Sequence, residues 1–356
     1  MGIKYLNNIL KKYAKNGIED IYYNTLYNKI IGIDTSIYLY KFLYNHKNYL
    51  YCFLCQIIKL LKSGIIPLYV FDGKPPEEKN ELLLDRRKKR EYINIKVQLL
   101  NYINNKYEEL EKIEKITDDL KLIKKKYLLD EDVLKLYNKL IETNYSKEDI
   151  NNEIKKQKRK LIYVTNIHIE NLIKLLDFVG IPYLKTNYEA EVVCAQLNKE
   201  NLIHGCITED SDYLTNGGNY LLRGFSIASG KLVLYKLHII LKEMGLNNKE
   251  FIDFCILCGC DYTEKIAGIG PVRALQLIKK YKNIENIIEY INTNKTKYKI
   301  PDKFNYKGAR NIFNIKIYND YELKNIKEKL FLKKPDTKGL IKFINELNIL
   351  INKRTL

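Results

Sequence analysis

Tryptophan is absent, methionine occurs twice, and only seven prolines and four histidines are spread over 356 residues. The scarce histidines, at positions 46, 168, 204 and 238, show no ligand spacing and no serine or cysteine partner. That argues against nucleophilic side-chain catalysis, and His204, in a strand-like stretch, reads as structural. No apolar signal core opens the chain, and the apolar run from Tyr49 to Leu61 is interrupted by Gln56 and Lys59. No membrane association is expected. Met1-Gly2 resembles a myristoylation start, but position 6 is Leu rather than Ser or Thr. Seven cysteines, an odd number with no signal peptide, predict reduced thiols in an intracellular compartment, nucleus and cytoplasm being equally open. The C-x-x-C pairs Cys52/Cys55 and Cys255/Cys258 lie in helical apolar patterns without a nearby histidine pair, so core packing is expected rather than zinc.

The most informative absence is local. From Glu77 to Val179 there is neither glycine nor proline, so this charged stretch is predicted to be mostly helical or partly mobile, and it is too long for a plain loop. It begins with Arg86-Arg87-Lys88-Lys89-Arg90 and ends with Lys155 to Lys160. Taken alone, such runs describe a solvated face; at both feet of an insertion they suit the legs of a DNA-contacting arch. The net charge of +18 favours a polyanionic partner, nucleic acid ahead of an anionic membrane, although an AT-rich coding sequence also enriches Lys, Asn, Ile and Tyr.

Around the insertion, strands alternate with helices. Lys29 to Asp34 and Ile65 to Phe71 read as buried strands, each ending in a carboxylate, Asp34 and Asp72. Leu202 to Thr208 reads as a third, running into Glu209, Asp210 and Asp212. Strand ends are where sites form in open α/β sheets. In extended chain Asp210 and Asp212 would point the same way. Glu189 and Glu191 are expected to straddle the start of a helix over Val192 to Leu197, with Asn187 as a possible cap. Like charges this dense resist ionising together, and a divalent cation is the simplest compensation. Beyond Leu237 the pattern turns helical, with Asp261 following Cys258-Gly259-Cys260. Gly268-x-Gly270-Pro271 leads into a helix carrying Arg273, Lys279 and Lys280, a shape suited to gripping a phosphate backbone.

Taken in order, Met1-Gly2-Ile3, Ile33-Asp34-Thr35-Ser36, Tyr69 to Pro76, Tyr188 to Glu191, Thr208 to Asp212, and Gly259 to Tyr262 with Gly268 to Pro271 resemble the flap endonuclease branch of the XPG-like structure-specific nucleases. The resemblance implies a PIN-like 5′-nuclease fold: a mostly parallel central sheet flanked by helices, a helical arch insertion and a C-terminal helix-two-turn-helix region. The nuclease α/β domain would occupy 1–90 and 161–245, the arch 91–160, and the duplex-binding region with its tail 246–356. Asp34, Asp72, Glu189, Glu191, Asp210, Asp212 and Asp261 would surround two magnesium ions, manganese substituting. Two such metals about 4 Å apart activate water and stabilise the leaving oxygen. The products would carry 5′-phosphate and 3′-hydroxyl ends.

By the same resemblance, Lys79 and Arg86, seven and fourteen residues beyond Asp72, would be the basic catalytic pair. Seven apart on one helix they would share a face, the alternative being surface solubilisation. Tyr40 would stack on a base rather than pack in the core, and Gly2 would lie near the active site. The implied activity is magnesium-dependent 5′ flap endonuclease with 5′-3′ exonuclease action in replication, repair or recombination. Gapped, bubble or four-way junction DNA, a catalytically silent DNA-binding scaffold and an RNA substrate remain alternatives. Branched DNA with a 5′ single strand is the expected partner of a monomer. Three departures stand out. The Asp34–Asp72 segment is short, the insertion is long, and the chain stops soon after Phe343 without a Q-x-x-aliphatic-x-x-aromatic-aromatic sliding-clamp peptide.

Overall fold

The structure, a computed structural model, describes residues 2–45, 48–106, 146–294 and 296–347. Two compact units emerge: Met1–Asn80 with Val164–Leu356, and Glu81–Tyr163.

The larger unit is built on a sheet whose strands are β1 (Ile18–Tyr22), β2 (Ile30–Asp34), β3 (Ile66–Phe71), β4 (Tyr183–Lys185), β5 (Gly205–Ile207), β6 (Tyr220–Arg223) and β7 (Lys231–Lys236). Their spatial order is β1-β7-β6-β5-β2-β3-β4. The five from β6 to β4 run parallel, while β7 is antiparallel to both β6 and β1. Strand β1 has no apolar alternation to announce it. Glu19 and Asp20 face solvent, and its pairing with β7 holds it in the sheet.

Strands β2 and β3 are almost wholly apolar because helices cover both faces, as parallel sheets require. Successive side chains divide between two cores. Leu68, Val70, Cys206 and Leu221 pack with helices Ala190–Lys199 and Asn248–Cys258 and the C-terminal helices. Ile31, Ile33, Tyr69, Phe71, Ile207 and Leu222 pack against helices Thr35–Asn45, Tyr49–Lys62, Asn166–Val179 and Thr337–Glu346. Cys52 lies within the second core, and Cys255 and Cys258 within the first. The chain runs outward from β2 through β3 to β4, then crosses back to β5 on the other side of β2. Between β2 and β5 the connections therefore diverge, the switch point beside whose strand carboxyl ends open α/β sheets place their sites.

In the smaller unit, helices Asn80–Lys106 and Lys147–Lys160 are described. Leu100, Ile150 and Ile154 form a small core, Lys96 pairs with Glu153 at 3.0 Å, and Ser146 and Asp149 form a capping box. Arg86 to Arg90 are exposed, as are Lys155, Lys156 and Lys158 to Lys160. The central part of the expected arch, residues 107–145, lies outside the described residues. Among the described residues no helix is long and apolar enough to cross a membrane.

Candidate active site

Asp34, Asp72 and Asp210 each accept a backbone N–H. Asp34 closes β2. Its Oδ1 accepts the Ile37 N–H at 3.2 Å and its Oδ2 the Thr208 hydroxyl at 2.8 Å. Asp72 follows β3, and its Oδ1 accepts the Ala190 N–H at 2.7 Å, capping the helix Ala190–Lys199 from a distant strand. Asn187 does not cap this helix, contrary to the expectation from sequence. The Asp72 carboxylate takes the first-turn N–H instead, and the Gly73 N–H donates to the Tyr188 carbonyl at 2.8 Å. A Cβ on Gly73 would sit 2.2 Å from the Asn187 carbonyl carbon, so only glycine lets the segment carrying Glu189 lie so close. Glu189 is the N-cap residue and Glu191 falls in the first turn, so the two do straddle the helix start.

Asp210 and Asp212 are not in extended chain. Strand β5 ends at Ile207, and side chains capture the next backbone N–H groups: Thr208 Oγ1 accepts from Asp210 at 3.0 Å, and Asp210 Oδ1 from Asp212 at 2.9 Å. Asp212 then opens the short helix Asp212–Thr215. Glu209, in the same acidic run, turns away to Arg223 Nε at 3.2 Å and the Gly224 N–H at 2.8 Å. Thr208 thus ties β2 to the Asp210 turn, a role its place before the acids hints at but periodicity does not reveal.

The chain start reaches the same point. The Ile3 N–H donates to Ser211 Oγ at 2.9 Å and the Lys4 N–H to the Gly259 carbonyl at 3.0 Å. Gly2 lies against the acids with φ of +77°, and a Cβ there would fall 2.1 Å from Asp210 Oδ1 and 2.7 Å from Asp212 Oδ1.

A side-chain cation sits within the cluster. Lys79 is 8% exposed; its Nζ donates to Glu189 Oε1 and lies 3.8 Å from Asp261 Oδ2. It ends a 3-10 turn, Glu77–Lys79, and the helix bearing Arg86 begins at Asn80, so the shared helical face does not extend to Lys79. Arg86 is exposed and belongs to the second unit. Tyr262 donates its hydroxyl to Glu189 Oε2 at 2.7 Å, a hydrogen bond with no signature in sequence spacing.

Burial and mutual repulsion resist ionisation at five of the acids. Asp34 is pushed up to about 8 by burial and then by Asp72. Burial drives Glu191 well above the carboxylate range, with Glu189, Asp210, Asp34 and Asp72 adding to it. Asp212 is raised by burial, then by Asp210 and Asp261. Asp210 is raised by burial against the hydrogen bond it accepts. Asp72 is raised too, desolvation by the groups packed around its carboxylate outweighing the hydrogen bonds it accepts although the residue stays partly open to solvent. Burial opposes the charge on Lys79, but Glu189, Glu191 and Asp261 outweigh it and its pKa rises. The acids therefore form one electrostatic unit. Among the described residues, no three of these side chains are already drawn to ion-binding distances.

Of the nucleic-acid candidates, Tyr40 is 44% exposed on the helix Thr35–Asn45, whereas Tyr38 is fully buried. Gly268 adopts φ of +86°, Gly270 is the N-cap of the helix Pro271–Tyr281, and Pro271 takes its first turn. Arg273, Lys279 and Lys280 on that helix are exposed.

The comparisons with known proteins agree with this architecture. Residues 1–93 match the XPG N-terminal domain and residues 180–261 the XPG I-region. Flap endonuclease 1 of Entamoeba dispar is 31% identical, the match covering 97% of this chain and 88% of that protein. Flap endonuclease 1 of Drosophila yakuba is also 31% identical, covering 97% of this chain and 80% of the relative. Among solved structures, the catalytic core of Rad2 in complex with DNA substrate superposes with a TM-score of 0.60 at 24% identity, covering 97% of this chain and 94% of that one. Flap endonuclease-1 from Methanococcus jannaschii gives 0.60 at 23% identity, over 95% and 92%. With carboxylates delivered by strand ends and helix starts over the regions those family profiles span, the chain belongs to the flap endonuclease family of XPG-type, structure-specific DNA nucleases.

Proposed function

We propose that this nuclease is a divalent-metal-dependent flap endonuclease, cutting where a 5′ single strand leaves a DNA duplex, with 5′-3′ exonuclease action on the same site. The observation that carries the reading is the meeting of Asp34, Asp72, Glu189, Glu191, Asp210, Asp212 and Asp261 in one electrostatic unit with Lys79 among them.

The donor set suits a hard cation such as magnesium. It is all oxygen, and Asp212 Oδ1 is buried without a hydrogen-bond partner among the described residues. These seven residues would hold the metal, directly or through water. Bound there, the metal supplies an activated water and charge stabilisation for phosphodiester hydrolysis. The chain's own groups do the rest. Thr208 and the Ala190 N–H hold Asp34 and Asp72 in orientation. Lys79 brings a fixed positive charge that can turn from Glu189 to the scissile phosphate, where charge builds in the transition state. By the family resemblance, Arg86 would be the second basic residue of the catalytic pair. Tyr40, exposed on its helix, suits stacking against a base beside the cut. The Gly268–Pro271 turn and the lysines of the following helix suit a phosphate backbone held without base recognition.

A panel of end-labelled 5′-flap, nicked, gapped and four-way junction duplexes, with magnesium, tests the assignment. Incision of the flap at its junction, faster than of any other member, is the expected result. Preference for the four-way junction would transfer the protein to a resolving role.

A further inference from the structure

Glu189 is held at both ends, by partners of different kinds. Lys79 takes Oε1 and the Tyr262 hydroxyl donates to Oε2 at 2.7 Å. Tyr262 is 2% exposed, its ring stands edge-on to Phe313 with centroids 5.2 Å apart, and Lys79 Nζ lies 5.6 Å from the ring centroid. One buried phenol therefore touches the carboxylate with its hydroxyl and carries the lysine over its face.

We propose that Tyr262 is a positioning residue: it keeps Glu189 aimed into the acid cluster when Lys79 leaves Glu189 for the scissile phosphate. The proposal rests on the nuclease reading given above and concerns what that reading requires of this chain. As the N-cap of the helix Ala190–Lys199, Glu189 makes no side-chain capping bond that would hold it in place. Once the ammonium departs, the Tyr262 hydroxyl is the remaining described hydrogen bond to its carboxylate. The chemistry of the donor matters. A phenol is neutral, so it orients an oxygen without cancelling the charge a divalent cation needs; a second ammonium there would compete with the metal. The ring is locked against Phe313, so the hydroxyl has little freedom to follow a wandering carboxylate. Hydrogen-bond partners of metal-binding side chains typically alter metal affinity or activity by about 10–100-fold when removed.

The test compares wild type, Tyr262→Phe, Glu189→Gln and the double variant. Phenylalanine keeps the ring and its packing on Phe313, so the fold is retained, and melting is followed alongside. Manganese binding to the DNA-free protein is titrated by electron paramagnetic resonance, and single-turnover cleavage of a 5′-flap duplex is measured with magnesium. Tyr262→Phe is expected to weaken manganese binding and slow single-turnover cleavage about tenfold each, with the enzyme concentration for half-maximal rate unchanged. In the Glu189→Gln background the same change should cost nothing more, because the phenol acts through Glu189. Unaltered affinity and rate in Tyr262→Phe, or an equal loss in both backgrounds, would overturn the proposal. Asp212→Asn separates the two levels. If it abolishes cleavage while Tyr262→Phe behaves as wild type, only the positioning role falls. If neither wild type nor any variant cleaves the flap, the nuclease reading falls with it.

Discussion

Asp34 and Lys79 carry the electrostatics of the site in opposite directions. The folded-state pKa of Asp34 is raised to about 8, so its protonated form stabilises the metal-free fold. That contribution is complete below the unfolded value near 4 and is lost as pH rises through about 8. In EDTA, Asp34→Asn should therefore gain stability relative to wild type between pH 5 and 8, in urea melts at the two values. A constant difference would deny the raised pKa. The same proton must leave when a cation binds. Lys79 works the other way, as the buried counter-charge to Glu189 and Asp261. Lys79→Ala should destabilise the metal-free protein by about 1–3 kcal/mol and slow single-turnover cleavage about a hundredfold or more. Magnesium should restore the melting temperature but not the rate. Restoration of both would reduce Lys79 to a structural ion-pair partner.

At the scale of elements, the helix Pro271–Tyr281 makes the clearest separable claim, because its exposed lysines are covalently remote from the acids. Replacing Lys279 and Lys280 by glutamine should lower the slope of log binding constant against log salt by about 0.9 for each phosphate left without its lysine, and leave the magnesium dependence of cleavage as it was. An unchanged slope would remove this helix from the duplex-binding surface. Most elements were legible from periodicity and punctuation. The helix Tyr49–Lys62 stops at Ser63-Gly64, β2 and β3 are apolar runs that end in acids, and Gly270-Pro271 opens its helix where N-terminal proline belongs. The failures share a cause. Strand β1 is recognisable only through its pairing with β7. The cap of the helix Ala190–Lys199 comes from Asp72, 118 residues away, which local spacing cannot encode. The Asp210 turn and the Tyr262–Glu189 bond are likewise tertiary, made by side chains that meet only after folding. Residue identities therefore named the acids, while their partners waited for the structure.

The whole molecule carries a formal charge of +18 yet gathers a cluster of acids at the open end of its sheet, Asp34, Glu191, Asp210 and Asp212 among them buried. On the proposed reading, a basic exterior would draw in DNA, and the acids would need a cation before that phosphate backbone could approach them. Metal and substrate would then be coupled by charge. The most direct measurement is single-turnover cleavage of a 5′-flap duplex against magnesium concentration, for wild type and Asp212→Asn. Asp212 is the test position because it is 1% exposed and its Oδ1 lacks a hydrogen-bond partner among the described residues. Wild type should be inert in EDTA and rise to saturation with magnesium, while Asp212→Asn stays at least about a hundredfold slower at every concentration. Cleavage that persists in EDTA, or that Asp212→Asn performs as fast as wild type, would contradict the account.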